Sequence, residues 1–422
     1  MAKKNYEWAE GATLDEHSKR KHKILEEYFR HYLITRCKLP QQERFRLAIV
    51  DGFAGAGIYK CGRYGSPLIF IDILKKTFEE INLNRATQGM KPIEIECSLV
   101  FNDLEADAIE QLKKNAAPLL AEIKQNVQQL HVDVEYYTQE FDQAFPEIKA
   151  KVLAGNYRNV LFNLDQCGHS HVSINVIQDI MSSWNSDEVF LTFMISALLT
   201  YLSPDQERDR ALLKMPKIQK EVFALLEKGD VDSLMNKEAF LGQAEKIVFD
   251  TLKGCASSGF VSPFSINNPE GWRYWLIHFA NSYRARQVYN NILHDNSTLQ
   301  AHFGRSGLRM LSYDPNHEGN LYLFDDNSRE LAKNDLHDDI PRLISEYGDA
   351  LTIEDFYTAT YNETAAHSDD IHAMIIENPD VEVITPQNGE RRSPNTIKPG
   401  DVLKLKTQTT MFPIFRKSEN NE

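Results

Sequence analysis

Cysteine is scarce and scattered: five residues, at positions 37, 61, 97, 167 and 255, with no Cys-x-x-Cys pair. That spacing excludes a zinc knuckle and a disulfide framework, so no metal site is expected, and it fits a reduced, cytoplasmic protein. Long apolar runs are missing as well. None approaches the roughly 18 residues that cross a bilayer, and the opening Met-Ala-Lys-Lys-Asn-Tyr-Glu-Trp lacks the apolar core of a secretory signal. There is no low-complexity block and no internal repeat. Positive charge is in short supply: 47 Lys and Arg stand against 61 Asp and Glu, a formal net charge of −14. Such a surface does not coat nucleic acid, and leaves room only for a local basic groove.

What is present is an alternation. Apolar runs at 45–50, 97–102, 132–137, 159–164 and 189–195 predict strands. Between them, amphipathic stretches at 67–78, 106–120 and 172–181 predict helices. Strand and helix in turn at this spacing predict a mostly parallel sheet covered on both faces, with its ligand crevice at the carboxyl ends of the strands. A helix over 23–34 precedes the first strand. Residues 203–255 are polar and helix-like, an insertion. The runs 260–266 and 273–280, joined by Asn267-Asn268-Pro269-Glu270-Gly271, predict an antiparallel hairpin that closes the sheet, with a helix over 284–294 behind it. The fold class expected is α/β, a Rossmann-like class I methyltransferase fold. Its N-terminal helical segment covers 1–36, the domain itself 37–300 and a connecting segment 301–339. The tail, 340–412, carries helix patterns at 340–347, 352–358 and 364–376 and strand patterns at 381–385 and 402–406, a winged helix.

The strongest motif is Asp51-Gly52-Phe53-Ala54-Gly55-Ala56-Gly57, directly after the first strand. Gly55 and Gly57 open backbone conformations closed to other residues and let a ligand approach, and the following helix offers free amide groups. Such a loop receives the methionine carboxylate of S-adenosylmethionine (SAM). A dinucleotide fingerprint would need a third Gly or Ala where Lys60 stands, and a plain strand-to-helix turn is the bland alternative. Asp51, Phe53, Ala54, Gly55 and Gly57 are therefore candidate cofactor contacts. Asp103 ends the second strand, where an acid accepts ribose hydroxyls, or merely caps the next helix, with Glu105 a nearby substitute. Glu140, after the third strand, is a candidate for the adenine amino group or an exposed loop acid.

Asn163-Leu164-Asp165-Gln166-Cys167-Gly168 ends the fourth strand. Amino-methyltransferases carry Asp/Asn-Pro-Pro-aromatic here, where acid and backbone carbonyl hold the amine for attack. This chain has Asn163 and Asp165 as candidate catalytic residues but lacks both prolines and the aromatic. A thiolate role for Cys167, as in cytosine-C5 methylation, lacks the proline expected at Gln166, and a structural cysteine is the simpler reading. Lys21, His22 and Lys23 before the first predicted helix, and Arg391 and Arg392 in the predicted wing, are candidate nucleic-acid contacts, with Lys60, Arg63, Arg284 and Arg286 as further basic candidates. The third tail helix carries Glu363, Asp369 and Asp370, charges that suit a major groove poorly, so the winged helix is open to protein as much as to nucleic acid.

Taken with Trp8, the run Lys21-His22-Lys23-Ile24-Leu25, Tyr28, Gly65-Ser66-Pro67 and Tyr274-Trp275-Leu276-Ile277-His278-Phe279-Ala280, these motifs resemble the three-Cys-motif partner protein (TcmP) family over about residues 8 to 300. The resemblance implies a methyltransferase-like Rossmann domain, SAM as cofactor, and a partner protein whose three-cysteine motif looks like that of a radical-SAM iron–sulfur protein. A role in nucleic-acid modification or antiviral defence is implied by that association alone. A more distant likeness is to the 23S ribosomal RNA adenine-N6 methyltransferases, through the Ala-Gly-x-Gly-x-Tyr pattern at Ala54 to Tyr59. Both groups usually show Asp-Pro at the fourth strand, where this chain has Asp165-Gln166. Two functions follow: a SAM-dependent methyltransferase acting on a DNA or RNA base, or a non-catalytic SAM- or nucleotide-binding module that recruits a partner through its winged helix.

Overall fold

The computed structural model describes residues 12–166, 172–194, 248–254, 259–263, 265–267, 273–296, 302–303, 306–311, 321–322 and 325–407. Cys167, Gly168, most of the 203–255 insertion and the 268–271 turn lie outside them.

A long helix, α1 (Glu16–Arg36), leads into β1 (Arg44–Asp51). Then follow α2 (Ser66–Thr87), β2 (Glu94–Asn102), α3 (Ala106–Asn126), β3 (Leu130–Tyr137), α4 (Phe141–Ala154), β4 (Asn159–Leu164), α5 (Ile174–Ser183) and β5 (Ser186–Phe193). Three strands finish the sheet: β6 (Phe260–Ser262), β7 (Ser265–Asn267) and β8 (Arg273–Ala280). The order across the sheet is β3-β2-β1-β4-β5-β8-β6, with β7 beside β8 next to β6. β1 to β5 run parallel; β8 is antiparallel to β5, and β6 and β7 are antiparallel to β8. This is the Rossmann-like methyltransferase fold with its closing hairpin, as the sequence pattern led one to expect. The chain winds outward from β1 to β3 and then returns to β4. That reversal parts the loops above β1 and β4 and opens a crevice there.

The burial pattern explains why these runs form strands. β1 alternates at its start and is buried on both faces from Leu47 to Asp51, as a central parallel strand must be. α1 starts seven residues earlier than its apolar stripe, because the first turns pack through polar side chains. Its buried face holds Lys21 and His22 as well as Ile24, Leu25, Tyr28, Phe29, Tyr32 and Leu33. Each large apolar side chain so buried contributes about 1.5–3 kcal/mol. Tyr28 donates to Glu188 of β5, and His278 of β8 lies 3.4 Å from the same carboxylate, so α1 is tied across the sheet's right half by a buried polar cluster.

α6 (Tyr283–Asp295) follows β8 and carries the second unit. That unit comprises α7 (Asp326–Glu346), β11 (Ala350–Thr352), α8 (Ile353–Thr360), α9 (Ser368–Glu377), β12 (Val381–Ile384) and β13 (Val402–Leu405); two short pairing strands, β9 (His302–Phe303) and β10 (Leu321–Tyr322), lie between. Three helices and the antiparallel order β11-β13-β12 make a winged helix. Its first helix starts at Asp326, where Asp325 accepts from the Ser328 N–H as N-cap, well before the apolar stripe at 340 that announced it. No helix among the described residues is long and apolar enough to cross a membrane.

Candidate active site

The loop after β1 is built from hydrogen bonds to neighbouring strand ends. The Gly52 N–H donates to Asn163 O of β4 (2.9 Å), and the Ala54 N–H to Asn102 O of β2 (2.9 Å). Gly55 and Gly57 have φ of +60° and +80°, so both turns of the loop need glycine. The Gly65 N–H closes the segment onto Gly57 O at 2.7 Å, just before α2 begins. Asn115 of α3 holds Ala56 O at 2.8 Å. Phe53 is half-buried against Phe141, ring centroids 6.1 Å apart, and Ala54 is buried.

Asp103 sits where the ribose acid was expected. One carboxylate oxygen receives the Gly55 N–H at 2.8 Å and the other the Glu105 N–H at 3.0 Å. Burial raises its pKa above the usual carboxylate range, against the pull of those backbone donors. A carboxylate that takes one N–H on each oxygen keeps lone pairs for the two hydroxyls of a ribose, and Asp103 is only partly covered. Glu140 occupies the N-cap position of α4, after β3, and is exposed. Asp51 differs. It is fully buried, and burial pushes its carboxyl up to about 7, against the pull of nearby Ser66 and Asn163 and of the Phe53 N–H, which donates to Oδ1 at 3.3 Å. It holds the loop from below and is closed to direct contact with a ligand.

Asp165 stands at the end of β4, beside the crevice. Lys21 of α1 donates to its Oδ1 as an ion pair, with side-chain exposures of 9% for Lys21 and 22% for Asp165. Burial alone would raise Asp165; the Lys21 charge and hydrogen bond, the Thr192 hydroxyl and His22 outweigh it and hold the carboxyl below its ordinary value. Asn163, Ser66 and Thr192 line the same small cavity, with Leu276 of β8 and Phe190 of β5 on its apolar side. Its free volume is about 10 Å3, the space of a single water. Gln166 is buried behind Asp165 and accepts the Val172 N–H on Oε1 at 3.1 Å, which fixes the start of the segment leading to α5.

Several candidate residues therefore fall elsewhere than on a nucleic-acid surface. Lys21 is spent on Asp165, and His22 is buried, with desolvation pushing its pKa down to about 4 so that it is neutral. A side chain inside the protein cannot reach a phosphate. Arg391 is held bidentately by Asp401 at 2.9 and 3.2 Å, which pins the wing's turn. Lys23 and Arg392 do face solvent, Lys23 3.8 Å from Glu27 and Arg392 3.6 Å from Glu390. Arg284 donates to Gln287, and Arg286 is fully buried. The sequence reading missed Asn102, Ser66 and Thr192. Asn102 was within reach of it, since it is the last residue of a strand next to an acid already singled out.

The fold and the crevice define a Rossmann-like methyltransferase domain joined to a C-terminal winged helix. Residues 312–388 match the family model of the GMT-like wHTH domain. Among solved structures, the chain is similar to one titled as a "putative rRNA-methylase" from Clostridium thermocellum, at 10% identity over 60% of this chain and 94% of that one, with a TM-score of 0.25. No curated protein matches the chain in sequence.

Proposed function

We propose that the protein is a SAM-dependent methyltransferase acting on a nucleic-acid base, and the observation that carries this reading is that Asp165 ends β4, the strand paired with β1, whose own end opens the loop with Gly55 and Gly57. The loop and helix α2 would hold the methionine end of SAM, Asp103 the ribose and Glu140 the adenine. SAM supplies the electrophilic methyl group. The chain's own part is to bind and orient. Asp165, kept ionised by Lys21, accepts a hydrogen from an exocyclic amine and turns its lone pair toward the crevice. The cavity beside Asp165 is too small for a base, so side chains that line it must move to admit one.

That closure favours a second reading, a SAM- or nucleotide-binding module without turnover, since the Lys21–Asp165 pair then stays closed. The likeness to the three-Cys-motif partner family supports a protein partner of the radical-SAM type and a defence setting under either reading.

Calorimetric titration with SAM separates the levels. The wild type should bind SAM, and Gly55→Val should weaken binding at least tenfold, because a branched side chain at φ +60° distorts the loop. Gly62→Ala, equally in the left-handed region but with open space around its new carbon, should leave affinity unchanged. Asp165→Asn should keep SAM affinity and lose at least 100-fold in transfer of labelled methyl to nucleic acid. SAM binding with no transfer by the wild type, alone or with its partner, selects the second reading, and no SAM binding at all overturns the first and leaves the second only as a nucleotide-binding module.

A further inference from the structure

We propose that Tyr274 of β8 is the ring on which the target base stacks, and that His17 of α1 holds the base's place until it arrives. The proposal rests on Asp165 as acceptor of the base's exocyclic amine. An acceptor alone does not hold a flat ring in line. A base taken out of its own stack needs an aromatic face in place of the neighbours it has left. The end of β4 supplies none, since Asp165 is followed by Gln166 and Cys167.

The sheet brings such a face from β8. Thr192 of β5 lines the cavity beside Asp165, and so does Leu276 of β8, its partner in register. Side chains two apart on a strand share a face, so Tyr274 stands on the face of Leu276. It lies toward the end of β8 that meets the carboxyl ends of the parallel strands, where the crevice opens. Tyr274 already serves as a stacking surface. The His17 imidazole lies on it with 5° between the planes and 4.5 Å between centroids. Among the described residues no other ring pair is as close or as nearly parallel. An imidazole is the five-membered half of a purine, so a flat nitrogen heterocycle fits this face. Neither ring is sealed in the core, both being half-buried. His17 and Lys21 are one turn apart on α1 and point the same way, His17 to Tyr274 and Lys21 to Asp165. The first turns of α1 thus cover both groups that an amine-bearing base would use, the ring and the carboxylate.

The test uses the full chain and a single-stranded oligonucleotide, made once as DNA and once as RNA. It carries a 2-aminopurine between abasic sites, so that this amine-bearing purine starts unstacked and bright. An aromatic ring laid on 2-aminopurine quenches its fluorescence. The wild type and Tyr274→Phe should quench the bound probe at least threefold, and the arm that quenches identifies the sugar. Tyr274→Leu should bind at least tenfold more weakly and leave the bound probe bright. His17→Ala removes the competing ring and should tighten binding at least twofold. Calorimetric affinity for SAM should be the same in all three variants. Transfer of labelled methyl, read in parallel, separates two failures. Transfer by the wild type that Tyr274→Leu leaves intact overturns the platform and leaves the enzyme standing. Tyr274-dependent quenching with no transfer overturns the enzyme and leaves the platform standing. The proposal also falls if the wild type does not quench the probe, or if His17→Ala weakens binding as much as Tyr274→Leu, which would make the ring pair a mere fastener of α1 to β8.

Discussion

Two seams join flanking elements to the central sheet, and each contains a buried cation. At the N-terminal seam, Lys21 of α1 meets a carboxylate, Asp165. At the C-terminal seam, Arg286 of α6 meets only carbonyls: its Nε donates to Tyr361 O at 2.9 Å and its Nη2 to Thr364 O at 3.0 Å. The consequences differ. Lys21 sits where its charge is balanced, and it holds Asp165 ionised. Arg286 has no acid among these partners, and burial pulls its pKa down to about 9. The first seam is organised around a charge the site can use, the second around backbone groups that must not be left dry. The second is also broader. Gln287 donates to Tyr361, Asn290 to Ala366 O, and Asn291 accepts from both the backbone and the hydroxyl of Ser368, all from one face of α6.

The contrast can be broken in three ways. Deleting 325–422 strips the covering from α6 and exposes Arg286, Gln287, Asn290 and Asn291 together; the remaining chain should be insoluble or aggregated, measurable by light scattering and circular dichroism. A soluble, cooperative domain would show that the second seam is an optional contact. Lys21→Met strands a buried carboxylate and should cost about 3–5 kcal/mol near pH 8. The sign of its pH dependence is the sharper reading. In the wild type Asp165 is depressed, so its contribution to stability is present above the unfolded value near 3.8 and is lost as pH falls through the folded value. Without Lys21, burial dominates and raises the carboxyl; its contribution is then complete below that unfolded value and lost as pH rises. The gap between variant and wild type in thermal melts should widen from pH 4 to pH 8, and a constant gap would mean that Lys21 acts only by packing. Arg286→Met leaves the Tyr361 carbonyl unpaired and Thr364 O with only the long 3.5 Å bond from Asn290, and it removes a buried charge, so it should cost less, about 2–4 kcal/mol, with no pH dependence between 5 and 8. A larger loss there than for Lys21→Met would reverse the comparison.

The sheet was legible because parallel strands covered on both faces must be apolar throughout, and because Asp51, Asp103 and Asp165 punctuate their ends. The two glycines with positive φ were legible because the loop motif names them. Lys21 and His22 were not. A run of basic residues ahead of an apolar stripe has the pattern of a solvated helix start, and only the tertiary position of Asp165, 144 residues later, turns it inward. The same holds for α7, whose first turns are polar. They form a helix because Asp325 caps them, and they are fastened to α9 by Arg329, which is tied to Asp370. Local pattern records what a face can bury alone, and pairs of opposite charge buried by contact between distant segments leave no period in the chain.

Asn102 gives the crevice its mechanics. Its amide donates one hydrogen to Gly52 O above β1, at 3.0 Å, and the other to Gln139 O beyond β3, at 3.1 Å. One side chain thus rivets three adjacent strand ends at fixed height. Any widening of the crevice on the β1–β3 side would have to shear that rivet inside the protein, so this half behaves as an anvil.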